Sequence, residues 1–301
     1  MDTLKALQQR FAQHDHVAFE QLEHDVTVMR VDHPQATATV SLDGGQVLTW
    51  QPKSQSVPVL WSTDPAQWRK GRAIRAGVPI CWPWFGSHPR QPEQPSHGYA
   101  RLCEWDILSI STLQSGALEI NMTMIAPSES AMPSAVSAKL SVCISIGETL
   151  SVALTTTNTG EQTICLTEAL HAYLNVGAIS RIHIEGLNGY SYVDLIDRQL
   201  VKTQNGVVKF SGEMGRVYLN TKSDCLIVDR MYGRSIKIEK TGSQSTVIWN
   251  PGLDTASKMD DLGPIAWQKM VCVESANALD NQITLKPGDQ HTLAVRYSVD
   301  A

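Results

Sequence analysis

The sequence predicts an all-β fold, a large antiparallel β sandwich with one short N-terminal helix. Three observations lead there. Apolar residues recur at period two over most of the 301 residues, as half-buried strands require. Turn-forming Gly, Asn, Asp and Pro punctuate these runs. Helical periodicity is confined to the N-terminus, and many strands with few helices bury themselves by packing sheet on sheet.

Leu4, Leu7 and Phe11 fall at helical spacing, which places the helix over residues 3–13. Strand patterns follow at 25–31 and 36–42, the second closed by Asp43-Gly44-Gly45. Another is expected at 117–125. Leu140, Val142, Ile144 and Ile146 then alternate with small or polar residues. Gly147-Glu148 turns the chain, and Leu150, Val152 and Leu154 resume the alternation, a hairpin signature. Further strands are expected at 181–185, 225–229, 235–239, 245–249 and 292–298. Asn158-Thr159-Gly160, Asn188-Gly189, Gly212 to Gly215 and Pro287-Gly288 supply turns between them. The polar, irregular segment 252–270 reads as a loop. No low-complexity linker or break in composition interrupts the chain, so 1–301 is read as one domain.

The chain is 42% hydrophobic and 18% charged, an ordinary globular balance with length enough for a sizeable core. Its formal net charge is -5, and no Lys/Arg run resembles a nucleic-acid footprint. An anionic ligand would therefore need positive charge gathered locally. None of the six cysteines forms a C-x-x-C pair, and Cys143 and Cys272 sit in apolar runs. They are expected as buried free thiols. The N-terminus lacks the apolar core of a signal peptide, and no run approaches the roughly 18 apolar residues of a membrane span. A soluble cytoplasmic protein is expected, and a monomer, since no long exposed apolar stripe stands out.

The stretch most charged with chemistry is Arg75-Ala-Gly-Val-Pro-Ile-Cys-Trp-Pro-Trp-Phe-Gly86, followed by Ser96-His-Gly-Tyr-Ala-Arg101. Arginine recognises carboxylate or phosphate in a planar, bidentate way, and aromatic faces give apolar platforms. The combination points to a pocket for a small, polar, anionic molecule. Trp61, Trp68, Trp82, Trp84 and Trp105 surround the motif; they suit a sugar's C–H faces or a sandwich core equally. None of the nine histidines has H-E-x-x-H or comparable spacing, so no metal site is expected. His171, in Thr167-Glu-Ala-Leu-His-Ala-Tyr-Leu174, reads alone as a core residue or a catalyst. His97 precedes Gly98 and stands four residues before Arg101; it is a loop histidine that could also orient a sugar. Glu274 closes the apolar run Met270-Val-Cys-Val. It belongs either on the wet face of an edge strand or in a partly dry cleft, as a general base with a tuned pKa. Asp194, after Tyr190-Ser-Tyr-Val193, is a plausible loop acid. Trp249, in Trp249-Asn-Pro-Gly252, could pack or line a sugar site. The chain has no G-x-S-x-G elbow, Gly-rich dinucleotide fingerprint or Walker loop, which argues against serine hydrolases, Rossmann oxidoreductases and P-loop kinases.

Five segments, Arg75–Gly86, Ser96–Arg101, Ala169–Tyr173, Trp249–Pro251 and Val271–Glu274, occur in the order found in the glucose-6-phosphate 1-epimerases. The chain resembles this family of D-hexose-6-phosphate mutarotases, within the aldose 1-epimerase-like superfamily, over essentially its whole length. The resemblance implies a galactose-mutarotase-like β supersandwich with its site in a cleft on the concave face. It implies His171 and Glu274 as catalytic residues, Arg75 and Arg101 as substrate-binding arginines and Asp194 as a substrate-binding aspartate. Ser96 holds a position that contributes to substrate binding in some relatives. Ala76 stands where the family usually has a second glycine, which is tolerable if φ is negative. The implied reaction interconverts the α and β anomers of a hexose 6-phosphate, with Glu274 as base to the C1 hydroxyl and protonated His171 as acid to the ring oxygen. It needs no metal or cofactor. A non-catalytic carbohydrate-binding module on the same fold would need neither residue. A glycoside hydrolase would need two flanking carboxylates, for which Asp194 and Glu274 could stand, leaving His171 without a role.

Overall fold

In the computed structural model, residues 4–127 and 136–300 are described. Strict alternation builds its central hairpin. Ala138–Ile146 and Leu150–Asn158 pair in continuous register from Ala138 opposite Asn158 to Ile146 opposite Leu150. Leu140, Val142, Ile144 and Ile146 all point inward, as the period-two pattern requires. These strands form the middle of an eight-stranded antiparallel sheet. Its order is Ile182–Glu185, Cys225–Asp229, Arg234–Thr241, Gln290–Asp300, Leu150–Asn158, Ala138–Ile146, Leu118–Met124 and Trp105–Thr112.

A second eight-stranded sheet carries the residues of chemical interest. Its order is Leu200–Thr203, Ser191–Asp194, Met214–Leu219, Ser245–Asn250, Met270–Asn277, Glu168–Leu170 and Ile80–Cys81, and Tyr173–Asn175 also pairs with Met270–Asn277. A four-stranded sheet (Val17–Gln21, Thr27–Asp32, Ala36–Ser41, Val47–Pro52) and the pair Ile164–Leu166 with Ile283–Leu285 complete the architecture. One apolar cluster takes in Leu7, Trp50, Ile144, Leu154, Tyr218, Val273 and Tyr297, and so draws on all three larger sheets. The all-β sandwich with a short N-terminal helix is as expected.

The differences are local. The helix runs Leu4–Arg10 and gives way to a turn, because Phe11 packs back on Phe19; residue 3 of the expected span lies outside the described residues. The segment expected to be an irregular loop holds two short helices, Gly252–Ala256 and Gly263–Ala266. They form because Ala256 and Leu262 are buried against Trp61, Tyr173 and Cys272, a tertiary cause invisible to local periodicity. All six cysteines are free thiols, but only Cys81, Cys225 and Cys272 are buried; Cys165 is exposed on a short outer strand. Among the described residues, no helix is long and apolar enough to cross a membrane.

Candidate active site

Met270–Asn277 is buried on both faces along its whole length. Val271 and Val273 point into the main core, while Cys272 and Ala276 join separate clusters on the other face of the sheet. Glu274 falls at the same parity as Cys272 and Ala276 and is only 1% exposed. It therefore lies in the middle of the sheet, not on the wet edge strand that the apolar run also allowed. The adjacent strand brings the second group. Ala169 pairs with Ala276 and Leu170 with Ser275, so His171 follows on the Glu274 side. Its Nε2 lies 3.4 Å from Glu274 Oε1.

The first arginine motif is knitted against this pair. The His171 amide donates to Pro79 O at 2.9 Å and the Tyr173 amide to Gly77 O at 2.8 Å. Gly77 has φ +56°, and a Cβ there would sit 1.8 Å from Val47 O. Ala76 lies outside the positive-φ residues, so its methyl group costs no backbone strain. The two halves of the motif then meet: the His97 amide donates to Gly86 O at 2.6 Å and the Tyr99 amide to Trp82 O at 3.0 Å. Gly98, at φ +73°, allows that approach, since a Cβ would lie 2.0 Å from Trp82 O. Trp82, Trp84 and Trp105 donate their indole N–H groups to Thr156, Pro95 and Ala100. They are scaffold; the indole in ring contact with His171 is that of Trp249, edge-on at 6.2 Å.

Tyr173 stacks on His171 with ring centroids 4.9 Å apart and planes 20° from parallel. His97 meets His171 edge-on at 5.5 Å. Arg101 Nη2 donates to Ser96 O at 2.6 Å, so Ser96 contributes its backbone carbonyl while its side chain is exposed. Arg101 Nε and Glu274 Oε2 are buried without a hydrogen-bond partner, a costly state unless a ligand or water completes it. Arg75 Nε donates to Asp261 Oδ2 at 2.7 Å.

Burial, reinforced by the fields of His97 and Arg101, pushes His171 well below the ordinary imidazole range. Burial pushes Glu274 well above the usual carboxylate range, with Arg101 opposing. His97 is held down to about 3 by burial and by Arg101 and Arg75, so it is neutral. Both shifts favour the uncharged forms, an imidazole and a carboxylic acid that together hold one proton. His171, Cys272 and Glu274 place ligand-type atoms within 4.8 Å of one another, a grouping hidden from sequence spacing. A cation there would face Arg75 and Arg101, whose fields already act on His171, so the cluster is better suited to moving protons and holding anions.

Asp194 is not brought to this pair. It pairs with Arg216, Arg216 with Ile248 and Ile248 with Val273, a row on the core side of the sheet. Glu274's own row is Val247, Val217 and Val193. The Asp194 carboxylate is taken up by Lys202 at 2.9 Å and by the amides of Ile196 and Asp197. Three residues missing from the sequence reading do reach the site: Tyr173, Cys272 and Asp261. The first two stand within two residues of His171 and Glu274, at the spacing that shares a strand face. Asp261 gave no signal, lying 186 residues from Arg75 in an irregular segment.

The aldose 1-epimerase family model matches residues 27–298. A protein of Escherichia coli named putative glucose-6-phosphate 1-epimerase is 32% identical over 270 residues, 89% of this chain and 88% of that one. A protein of the same name from Cenchrus ciliaris is 30% identical over 262 residues, 84% of this chain and 78% of that one. The crystal structure of a putative mutarotase (YeaD) from Salmonella typhimurium superposes with a TM-score of 0.87 at 28% identity, over 97% of this chain and 98% of that one. The sequence resemblance and the site geometry thus agree, and this chain belongs to the aldose 1-epimerase family.

Proposed function

We propose that this chain is a hexose-6-phosphate mutarotase acting on glucose 6-phosphate. The observation that carries the reading is the contact of His171 Nε2 with Glu274 Oε1 at 3.4 Å on a sheet face flanked by two arginines. Mutarotation moves protons at O1 and O5 of the sugar. Both oxygens are bonded to C1, so acid and base must stand side by side, as these two groups do. The shared proton sits on His171 in the reactive form. Glu274 takes the O1 proton, the electron pair closes a C1=O double bond, the C1–O5 bond breaks, and O5 takes the proton from His171. The pair again holds one proton, now on Glu274, which is the form its burial favours. Rotation about C1–C2 and the reverse transfers close the ring on the other face.

Arg75 and Arg101 receive the 6-phosphate, each through charge-assisted hydrogen bonds. A dianion there also offsets part of the positive field that pushes His171 down. Trp249 and His97 line the sugar. The geometry gives no support to Asp194 as a sugar ligand, nor to the hydrolase reading, which would need that carboxylate opposite Glu274. We read 1–301 as one domain, on the strength of the shared core. Six unpaired thiols fit a reducing compartment, the cytoplasm.

NMR exchange between the anomers of glucose 6-phosphate tests the reading. Enzyme-dependent exchange that disappears in Glu274→Gln is expected. Tight binding of the sugar phosphate with no acceleration of exchange would make the protein a non-catalytic carbohydrate binder instead.

A further inference from the structure

Arg75 is held by two partners. Asp261 reaches its Nε, while Tyr173 lies against the same guanidinium. Asp261 lies between the helices Gly252–Ala256 and Gly263–Ala266. Its position is fixed by its neighbour: Leu262 is buried with Trp61, Tyr173, Met270 and Cys272, and its amide donates to Met259 O at 3.2 Å. The carboxylate is therefore presented by an anchored turn. Asp261 takes Nε, and the Nη1/Nη2 end, the end that grips a phosphate in bidentate fashion, remains for Tyr173 and a ligand. Arg75 and Asp261 also line a cavity of about 610 Å³ together with Arg69, Arg72 and Lys258, a basic surround for an anion.

We propose that Asp261 is a positioning residue for the substrate's anionic group: through Arg75 Nε it fixes the plane of the guanidinium so that the Nη fork is already aimed at phosphate. The inference rests on the reading of Arg75 as a phosphate ligand. A long, exposed arginine loses rotamer freedom when it binds; one already clamped has lost it on folding, and the ligand binds tighter by that amount. Asp261 thus sets selectivity for phosphorylated over free sugar without touching either. It also ties the two short helices to the arginine motif, so the wall of the site and its anion grip are fixed together.

Calorimetric titration with inorganic phosphate tests this without relying on turnover. Asp261→Ala is expected to weaken phosphate binding about tenfold, and Asp261→Asn, which keeps an acceptor oxygen and the side-chain volume, to weaken it less but in the same direction. Arg75→Ala should weaken it at least as much as Asp261→Ala, and adding Asp261→Ala to Arg75→Ala should cost nothing further. In turnover, Asp261→Asn should raise KM for glucose 6-phosphate with a far smaller change in kcat. Unchanged or tighter phosphate binding in the Asp261 variants, with Arg75→Ala weakened, would overturn the positioning role and leave the phosphate reading standing. Unchanged binding in Arg75→Ala would instead remove Arg75 as the phosphate ligand, and the inference with it. Additive losses in the double variant would show that Asp261 acts on the loop and not through Arg75.

Discussion

The hairpin Ala138–Ile146/Leu150–Asn158 and the strand Met270–Asn277 are both central elements of eight-stranded sheets, yet they are built on opposite rules. The hairpin alternates strictly, and its inward side chains are apolar except for Thr156 and Asn158 at its end. The strand is buried on both faces, and one of its inward groups is a carboxylate. Burying an ionisable group that way costs folding free energy unless it stays neutral or finds a partner. Glu274 has both routes: burial favours its neutral form, and His171 stands beside it. The hairpin spends its burial on stability; the strand gives up some of that stability to hold a proton where a sugar can use it.

The widest separation of the two regions comes from one substitution in each. Glu274→Gln should lower kcat by about 10²-fold to 10⁴-fold, the usual contribution of a general base, while the fold stays intact. Leu154→Ala, in the fully buried face of the hairpin, should cost about 2–5 kcal/mol of stability and leave kcat alone. Polarimetry beside denaturant melts measures both. If Glu274→Gln stabilised the protein without slowing it, the strand's carboxylate would be a packing defect and not a catalyst. Next in size is the arginine contribution. Arg101→Ala should weaken glucose 6-phosphate by about tenfold to a hundredfold and free glucose much less, since a charge-assisted bond contributes roughly 1.5–3 kcal/mol. Equal losses for both sugars would make Arg101 a shaper of the loop.

The same contrast explains what could be read in advance. The hairpin was legible because alternation is local: four apolar residues at period two name the face they share. The two arginine motifs were legible because Gly, Pro and aromatic residues mark loops that approach closely, and Gly77 and Gly98 do sit where a Cβ would collide with backbone. Glu274 was ambiguous because a strand buried on both faces shows an unbroken apolar run that hides its parity. Asp194 shows a related limit. Its residue type and loop position fit a ligand, but a side chain's face depends on register across four strands, which one segment does not encode. Asp261 and the two short helices depend on partners far away in the chain, and no window of neighbours contains them.

The pH dependence of kcat sharpens the comparison further. With one proton shared, activity is lost when the pair gains a second proton and when it loses the first. The second would go to His171, whose affinity for protons is lowered by burial and by His97 and Arg101. The acid limb of kcat should therefore lie below the ordinary imidazole value of about 6.5. Saturating glucose 6-phosphate is the condition to use, because kcat then reports the complex. An acid limb at or above that value would mean that the resting imidazole is charged.

A smaller effect probes the seam between the sheets. His291, on Gln290–Asp300 of the first eight-stranded sheet, contacts Glu168 of the site sheet at 3.0 Å, and Asn277 joins both. The hydrogen bond to Glu168 raises His291 above its ordinary value, with burial opposing. The folded state therefore binds this proton more tightly than the unfolded chain. The resulting stability is fully present below the unfolded value of about 6.5 and is lost as pH rises through the higher folded value. His291→Gln removes that term. The melting temperature of the wild type should exceed that of the variant most in mildly acidic buffer, and the gap should narrow as pH rises through the folded value. A gap that widened with pH would mean that His291 is only an uncharged spacer between the sheets.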